Sequence, residues 1–322
     1  MSGKNNETKS RTIVIIVASV ILVISLAYLA YYLIQEKRAA DLENDLANRH
    51  TDTVMITQET EETTVPTETT PPETTTTEET TVLEPLVELD SMKSFIEENP
   101  DTAGWITVGG TSIDNVVVQR ADNDFYLDHD FYGRSSQPGT VFADFRCVVN
   151  DYDFNQSDNI ILYGHNQANG TMFGTLQKYK ITKQNTSKFD FYLQHPTFTF
   201  SNLYEEYTYK IIALFVCEVD PKHTKYGVIF DYHNYIRFGS NEYTYEQFMK
   251  NVTERSEIIT GVDVCEDDQF LTLSTCSNEF EPSRFIVIGR KVRDGESPEV
   301  DTSLAKLNPD VKEPDWNFIY GN

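Results

Sequence analysis

Hydrophobic and polar positions divide the chain into three regions of different character. The first is an uncharged run of 23 residues, Thr12 to Ile34, which as a helix would span about 34 Å. A polar stretch follows, and from Leu89 onward short apolar runs alternate with turn residues. This pattern predicts an apolar helix, a polar connection and a folded domain rich in β-strands.

The folded region contains many candidate strands and few candidate helices. Glycines and prolines such as Gly133 and Pro138 separate the runs, and amphipathic helices are predicted before Pro100 and within residues 243–257. Many short strands with few helices favour a mainly β fold, either a closed barrel or a sandwich. The candidate strands are GWITVGG, SIDNVVVQR, GTVFADFR, NIILYGH, FTFSNLYEEYTYKIIALFVCEV, QFLTLSTC and RFIVIGRKV.

The apolar run predicts an uncleaved membrane anchor rather than a signal peptide. Signal peptides have apolar cores of about 7–15 residues followed by a small-x-small cleavage site. This run is longer, ends in Tyr31 and Tyr32, and is followed by no clear A-x-A site. Three basic residues precede it and two follow it, which favours a cytoplasmic N-terminus. We therefore expect residues 1–11 in the cytoplasm and residues 12–34 in the membrane.

The polar stretch is dominated by threonine, glutamate and proline. Fifteen positions between Thr51 and Thr81 are threonine, and none is aromatic, lysine or arginine. Such a segment buries too little apolar surface to offset the entropy of ordering, and its charge and prolines keep it extended. We expect residues 35–88 to be a juxtamembrane segment and a disordered stalk, residues 89–293 to be one folded domain, and residues 294–322 to be a C-terminal tail.

Charge and cysteine content exclude some classes of function. A net charge of −25 on 322 residues makes a nucleic-acid partner improbable. The four cysteines, Cys147, Cys217, Cys265 and Cys276, have no C-x-x-C spacing, which argues against zinc. We expect no metal and no cofactor. Outside a cell, four cysteines could form two disulfides in any of three connectivities.

Cys276 differs from the other cysteines in its polar surroundings. It ends an apolar run, is followed by Ser277, and precedes Arg284 by eight residues. If the intervening loop closes a hairpin, the guanidinium comes near the thiol. A nearby cation increases the fraction of thiolate, which is the nucleophilic form, and can also stabilise an anion on a substrate carbonyl. The pair predicts a cysteine nucleophile assisted by arginine.

A cysteine nucleophile also needs an acid–base group, and His165 is the best candidate. It follows the run NIILYG directly, so it lies at a strand end, as Cys276 does. Strands that end at one rim of a barrel bring their terminal residues together. A histidine that merely satisfies a turn is the structural alternative, and the pattern alone does not decide between the two.

These motifs together resemble the sortases, cysteine transpeptidases anchored in Gram-positive membranes. The resemblance rests on NIILYGHN, MFGTL, TLSTC and the RFIVIG that begins eight residues past the cysteine. Residues 99–133, with the D-N-x-x-Y-L segment from Asp122 to Leu127, resemble class B sortases in particular. The likeness covers about residues 89–293 and implies a closed eight-stranded barrel, N-terminal helices and a helix in the insertion before the cysteine strand.

The resemblance implies a mechanism and its participants. Cys276 would attack a threonine carbonyl in the C-terminal sorting signal of a secreted protein and form a thioester. His165 would transfer protons, and Arg284 with the backbone N–H of Ser277 would hold the oxyanion. A peptidoglycan precursor or a pilin would supply the accepting amine, outside the cell. Class B substrate contacts would fall on Asn123, Leu127, Tyr163, Ser274 and Ser277.

The sequence also departs from the family and leaves alternatives open. Asn278 stands where some class B enzymes have an aspartate, so a mechanism that needs this carboxylate is in doubt. An L,D-transpeptidase would also use cysteine and histidine, but with an arginine closer to the cysteine. A stalked extracellular binding domain, or an inactive sortase-like domain, is the alternative from another class. If Cys276 is the nucleophile, it stays a free thiol.

Overall fold

The computed structural model describes residues 2–61, 84–181, 186–239 and 242–321. Its helices are α1 (Ser2–Glu61), α2 (Asp90–Glu98), α3 (Phe189–Gln194), α4 (Tyr245–Arg255) and α5 (Trp316–Tyr320). Its strands are β1 (Thr102–Thr107), β2 (Asp114–Val118), β3 (Phe142–Ala143), β4 (Asn159–Tyr163), β5 (Thr197–Ser201), β6 (Glu206–Glu218), β7 (Ile258–Ile259), β8 (Phe270–Cys276), β9 (Ser283–Lys291) and β10 (Lys306–Leu307).

Eight of the strands close into a barrel in the order β1-β2-β3-β4-β8-β9-β6-β5. The predicted mainly β fold with a closed eight-stranded barrel is therefore confirmed. Strand β4 runs parallel to β8, with Tyr163 opposite Ser274, and β8 forms an antiparallel hairpin with β9. Because parallel strands end at the same edge, the ends of β4 and β8 and the start of β9 share one rim.

The insertion between β6 and β8 carries helix α4, as predicted. Thr244 caps this helix by accepting a hydrogen bond from the backbone of Gln247, whose side chain bonds back to Thr244. Phe248 and Val252 lie on one face of α4 and are buried in the main core. This face of α4 covers part of the outside of the barrel, and the central strands β8 and β9 are buried on both faces along most of their length.

Helix α1 continues without a break from the apolar run onto the barrel. Ala39 and Leu46 are buried, the His50 ring stacks on Trp105 with centroids 4.1 Å apart, and Arg49 pairs with Glu98 of α2 at 2.6 Å. These positions recur at helical spacing and form one packed face. The residues that follow the apolar run are thus part of the folded unit.

The expectation of unfolded chain from Thr51 onward is wrong for residues 51–61, which complete α1. Threonine is a modest helix former, but the packed residues before it already form the helix, and propagation costs far less than nucleation. The rest of the threonine-rich stretch, residues 62–83, lies outside the described residues. Residues 35–61, which follow the apolar run, are helical, and the sequence did not indicate this.

The C-terminal tail packs on the folded domain. Strand β10 pairs with β7, Lys312 pairs with Glu254 of α4 at 2.6 Å, and the Trp316 ring contacts Phe280 edge-on at 5.7 Å. The tail therefore covers part of α4 and of the loop between β8 and β9.

Candidate active site

A cleft of about 520 Å³ opens at the rim where β4 and β8 end and β9 begins. Its wall combines a thiol, an imidazole and a guanidinium with apolar and hydrogen-bonding groups. The lining residues are Asn123, Leu127, Phe142, Asp144, Arg146, Tyr163, Gly164, His165, His233, Ser274, Thr275, Cys276 and Arg284.

Cys276 is the one cysteine that lines this cleft. It is the last residue of β8, is partly exposed, and lies directly opposite Arg284 in the β8–β9 hairpin. Cys147 and Cys217 are buried, and burial raises the pKa of the Cys147 thiol to about 12, which keeps it protonated and unreactive. Cys265 is exposed but lies outside the cleft lining. Among the four cysteines, Cys276 is thus the accessible thiol that lies in the cleft, opposite Arg284.

His165 follows β4 and lines the same cleft as Cys276. Its Nε2 lies 2.9 Å from the carbonyl oxygen of Leu127. A carbonyl only accepts, so Nε2 carries the hydrogen and Nδ1 is the nitrogen that can take up a proton. Gly164 is required beside it, since a Cβ there would lie 2.7 Å from the Phe173 ring. Phe173 packs on this glycine and donates its backbone N–H to the His165 carbonyl at 3.0 Å.

Asn166 connects the histidine segment to the cysteine strand. Its Nδ2 donates to the carbonyl oxygen of Cys276 at 2.9 Å, and Gln177 donates to the same oxygen at 3.3 Å. The amide therefore fixes the backbone of the nucleophile relative to that of the histidine. Asn166 belongs to the YGHN motif, but sequence reasoning gave it no role.

Arg284 is the second residue of β9 and lines the cleft. Its NH1 donates to the carbonyl of Ser283 at 3.0 Å, which orients the guanidinium along the strand. Arginine stays protonated at any physiological pH and presents five donors, so it can bind an oxyanion or a peptide carbonyl but cannot act as a base. The predicted trio of Cys276, His165 and Arg284 is thus brought together at one rim.

One wall of the cleft is a hydrogen-bonded network centred on Asp144, which sequence reasoning missed. Its buried carboxylate accepts two bonds from Arg146, at 2.9 and 2.8 Å, and one from the Tyr163 hydroxyl at 2.9 Å. The Tyr163 hydroxyl also lies 3.2 Å from Nδ1 of His233. The sequence signal was present in GTVFADFR, where an acid and a base flank one residue at a strand end.

Asp144→Asn should lower the free energy of unfolding by about 2–4 kcal/mol at pH 7, because it leaves Arg146 without its ionic partner. Burial alone would raise the pKa of Asp144, but hydrogen bonds from Arg146 and Tyr163 hold it below its ordinary value. The carboxylate therefore stabilises the fold above the unfolded pKa of about 3.9, and this contribution disappears as pH falls through the lower folded pKa.

Urea unfolding of the full chain in detergent at pH 7 and pH 3 measures this difference. The matched control is Asp158→Asn, which removes a longer, more exposed pair with Arg237 at 3.6 Å and should change stability by less than about 1 kcal/mol. If Asp144→Asn lowered the free energy of unfolding equally at both pH values, the stabilising role of the ionised Asp144 carboxylate would be contradicted.

Four of the five residues expected to contact substrate line the cleft. Leu127 is exposed and also holds His165 through its carbonyl. The polar ends of the other three are engaged: Asn123 donates to Asp144 at 3.1 Å, Tyr163 bonds Asp144, and Ser274 pairs with the Tyr232 hydroxyl at 2.7 Å. They shape the wall, and their hydroxyl and amide groups are already hydrogen-bonded.

The side chain of Ser277 does not line the cleft. Its side chain is fully buried, its Oγ lies 2.5 Å from that of Ser283, and its backbone N–H donates to the Ser283 carbonyl at 3.4 Å. Successive residues at the end of β8 point to opposite faces, so the residue after Cys276 points away from the cleft. The backbone N–H makes only this long bond to the Ser283 carbonyl, and its role at the oxyanion stays a prediction.

Asn278 follows in a left-handed conformation, with φ of 61°. Asparagine tolerates this conformation better than most residues, so the position is a turn residue here. The nearest acid along the chain, Glu279, pairs with Lys180 at 2.7 Å. The loop after Cys276 thus supplies turn geometry and an ion pair.

Two curated proteins match the chain over most of their length. The chain is 32% identical over 206 residues to sortase B of Listeria monocytogenes. This match covers 63% of this chain and 74% of that protein. The chain is also 32% identical over 196 residues to sortase B of Staphylococcus aureus, covering 60% and 71% respectively. No family model matches the chain.

Solved structures agree with these matches. The X-ray structure of Clostridium perfringens sortase B is 30% identical, with a TM-score of 0.51, and the match covers 62% of this chain and 99% of that chain. A Bacillus anthracis protein described as similar to sortase B has a TM-score of 0.58 at 24% identity, over 80% of this chain and 96% of that chain. This second likeness concerns the fold alone.

Proposed function

Because the chain belongs to the sortase B family and is a cysteine transpeptidase, we propose that Cys276, His165 and Arg284 carry out its chemistry. The observation that supports this most is their common cleft, in which the cysteine and the arginine are direct partners across a hairpin. The substrate is a C-terminal sorting signal on a secreted protein, cut after a threonine. The acceptor is an amine of a cell-wall precursor or of a pilin.

In the first half-reaction, Sγ of Cys276 attacks the threonine carbonyl carbon, and the carbonyl oxygen takes up negative charge. When the C–N bond breaks, the imidazolium of His165 gives its proton to the leaving amine, and a thioester remains. In the second half-reaction, the neutral imidazole removes a proton from the incoming amine as it attacks the thioester. The C–S bond breaks, and the new amide leaves with the thiolate restored.

Arg284 stabilises the oxyanion of both tetrahedral intermediates. Its guanidinium stays charged in every step, and its planar donors suit a carbonyl oxygen that becomes negative. The backbone N–H of Ser277, which makes only a long bond to Ser283, is the second donor that we assign to this oxygen.

Arg284→Lys should lower kcat/KM for peptide cleavage by about 100-fold, because an ammonium retains the charge but loses the planar set of donors. Steady-state kinetics with one fluorogenic sorting peptide measures this. The control is Arg237→Lys, which is outside the cleft lining and should behave like the wild type. Retention of more than half of the activity in Arg284→Lys would contradict the assigned role.

We place the enzyme at a cell membrane, with residues 1–11 in the cytoplasm and the catalytic domain outside. Among the described residues, α1 alone is long and apolar enough to cross a bilayer. The buried Ala39 comes five residues after Ile34, about 8 Å along the helix, so the barrel lies close to the bilayer surface. This position suits substrates that emerge from the membrane and acceptors that are attached to lipid.

A product assay tests the function. The full chain in detergent is incubated with a pool of threonine-containing sorting peptides, with and without triglycine as the amine. We expect hydrolysis after threonine without the amine and a ligated peptide with it. A chain that cleaves at other residues, or never ligates the amine, would contradict the proposed reaction.

A further inference from the structure

The side chain of Glu43 extends from α1 to the segment that carries His165. Its Oε1 accepts the backbone N–H of Met172 at 2.9 Å and also bonds the side-chain amide of Asn115 on β2. Among the described residues no lysine or arginine is paired with it, and burial raises the pKa of its carboxyl group. A carboxylate placed in this way is costly to bury, so its contacts call for a reason beyond packing.

Met172, the residue that donates to Glu43, is connected to His165 through neighbouring residues of the same loop. Met172 bridges Asn166 across the loop, and the next residue, Phe173, donates its N–H to the His165 carbonyl. Met172 also has a φ of 52°, a left-handed conformation that is uncommon for a methionine and needs support from its surroundings. The bond from its N–H to Glu43 provides that support.

The face of α1 that carries Glu43 also packs near the segment that contains Leu127, whose carbonyl binds the His165 ring. Glu43 and Leu46 line a crevice with Phe131, Gly139 and Thr140, and the Thr140 N–H donates to the carbonyl of Tyr126, the neighbour of Leu127. The Leu127 carbonyl is the acceptor that orients the imidazole. Helix α1 therefore supports both backbone segments that hold His165.

We propose that Glu43 is a positioning residue for His165: by binding the Met172 N–H, the membrane-proximal part of α1 fixes residues 165–173 and keeps the imidazole in the cleft. The inference rests on the proposed acid–base role of His165. It gives α1 a part in catalysis beyond anchoring, because Glu43 lies nine residues after the apolar run ends, about 13 Å along the helix axis.

Glu43→Ala in the full chain should lower kcat for peptide cleavage about tenfold with little change in KM, because substrate contacts remain while the imidazole is less well placed. Hydrogen–deuterium exchange of the peptide spanning residues 165–174 should rise in the same variant. Glu43→Gln keeps an acceptor oxygen and should restore both values. Arg49→Ala, which removes the α1 pair with Glu98, should leave exchange in this peptide unchanged.

If Glu43→Ala does not accumulate as folded protein, Glu43→Leu fills a similar volume without an acceptor and serves the same comparison. Unchanged exchange at residues 165–174, or wild-type kcat, in the alanine or leucine variant would overturn the inference. Equal decreases in kcat and equal increases in exchange for Glu43→Ala and Arg49→Ala would also overturn it, since they would indicate that α1 as a whole is less tightly packed. A wild-type chain that cleaves no peptide would instead overturn the proposed function, while the exchange measurement still decides whether Glu43 holds the segment.

Discussion

Replacing Cys276 with alanine should abolish cleavage of sorting peptides, lowering kcat/KM by about 10⁴-fold or more. The reaction passes through a covalent bond to sulfur, and a methyl group cannot form it. The side chain is partly exposed at the end of β8, so its removal should leave the barrel folded. Fluorogenic peptide kinetics on the full chain, with circular dichroism to verify the fold, measure the effect.

Cys265→Ala is the matched control for this prediction. Cys265 is the other exposed cysteine, it lies outside the cleft lining, and it contacts Arg293 at 3.5 Å. Its replacement should leave cleavage at the wild-type rate. If the alanine variant at 276 still cleaved peptides, or if the control lost activity instead, the nucleophile would have been assigned to the wrong thiol.

Replacing His165 with alanine should lower kcat/KM by about 10³-fold. The leaving amine would depart without its proton, and no neighbouring group in the cleft can replace the imidazole. His233 lines the same cleft, but its Nδ1 is engaged by Tyr163 and burial lowers its pKa, so it stays neutral.

A matched histidine variant separates a catalytic loss from a structural one. The control is His195→Gln, a half-buried histidine packed on Phe191 and absent from the cleft lining, which should keep the wild-type kcat/KM. A variant at 165 that stayed folded by circular dichroism and kept more than a tenth of the wild-type kcat/KM would contradict the acid–base assignment.

The barrel and the main site could be predicted because each depends on short-range signals. Strand ends are marked by apolar runs that stop at polar residues, so Cys276 and His165 could be placed at a common rim. The eight-residue separation of Cys276 and Arg284 fits a hairpin, and the structure pairs them directly. The barrel and the site both follow from where strands begin and end, and the sequence pattern marks those positions directly.

The parts that sequence reasoning missed depend on contacts between distant segments. Asp144 meets Tyr163 and Asn123 only after the barrel closes, so the local signal in GTVFADFR indicates the Arg146 pair and not the rest of the network. The burial of the Ser277 side chain was also missed, because its bond to Ser283 depends on how the hairpin loop closes.

Helix α1 was misjudged for a similar reason. Its packed face is short, and threonine-rich sequence follows it, so composition favoured a stalk over a docked helix. The decisive partners are Trp105 and Phe95, which cover His50 from the barrel and from α2. Long-range packing of this kind stabilises helices that propensity alone would not.

Detection of an acyl-enzyme tests the central claim most directly. The full chain is mixed with a sorting peptide in the absence of any amine, quenched in acid, digested and analysed by mass spectrometry. We predict a peptidyl adduct, cut after threonine and released by hydroxylamine, on the fragment that contains Cys276. Cleavage of the peptide with no adduct there, or with the adduct on another residue, would contradict a thioester formed at this cleft.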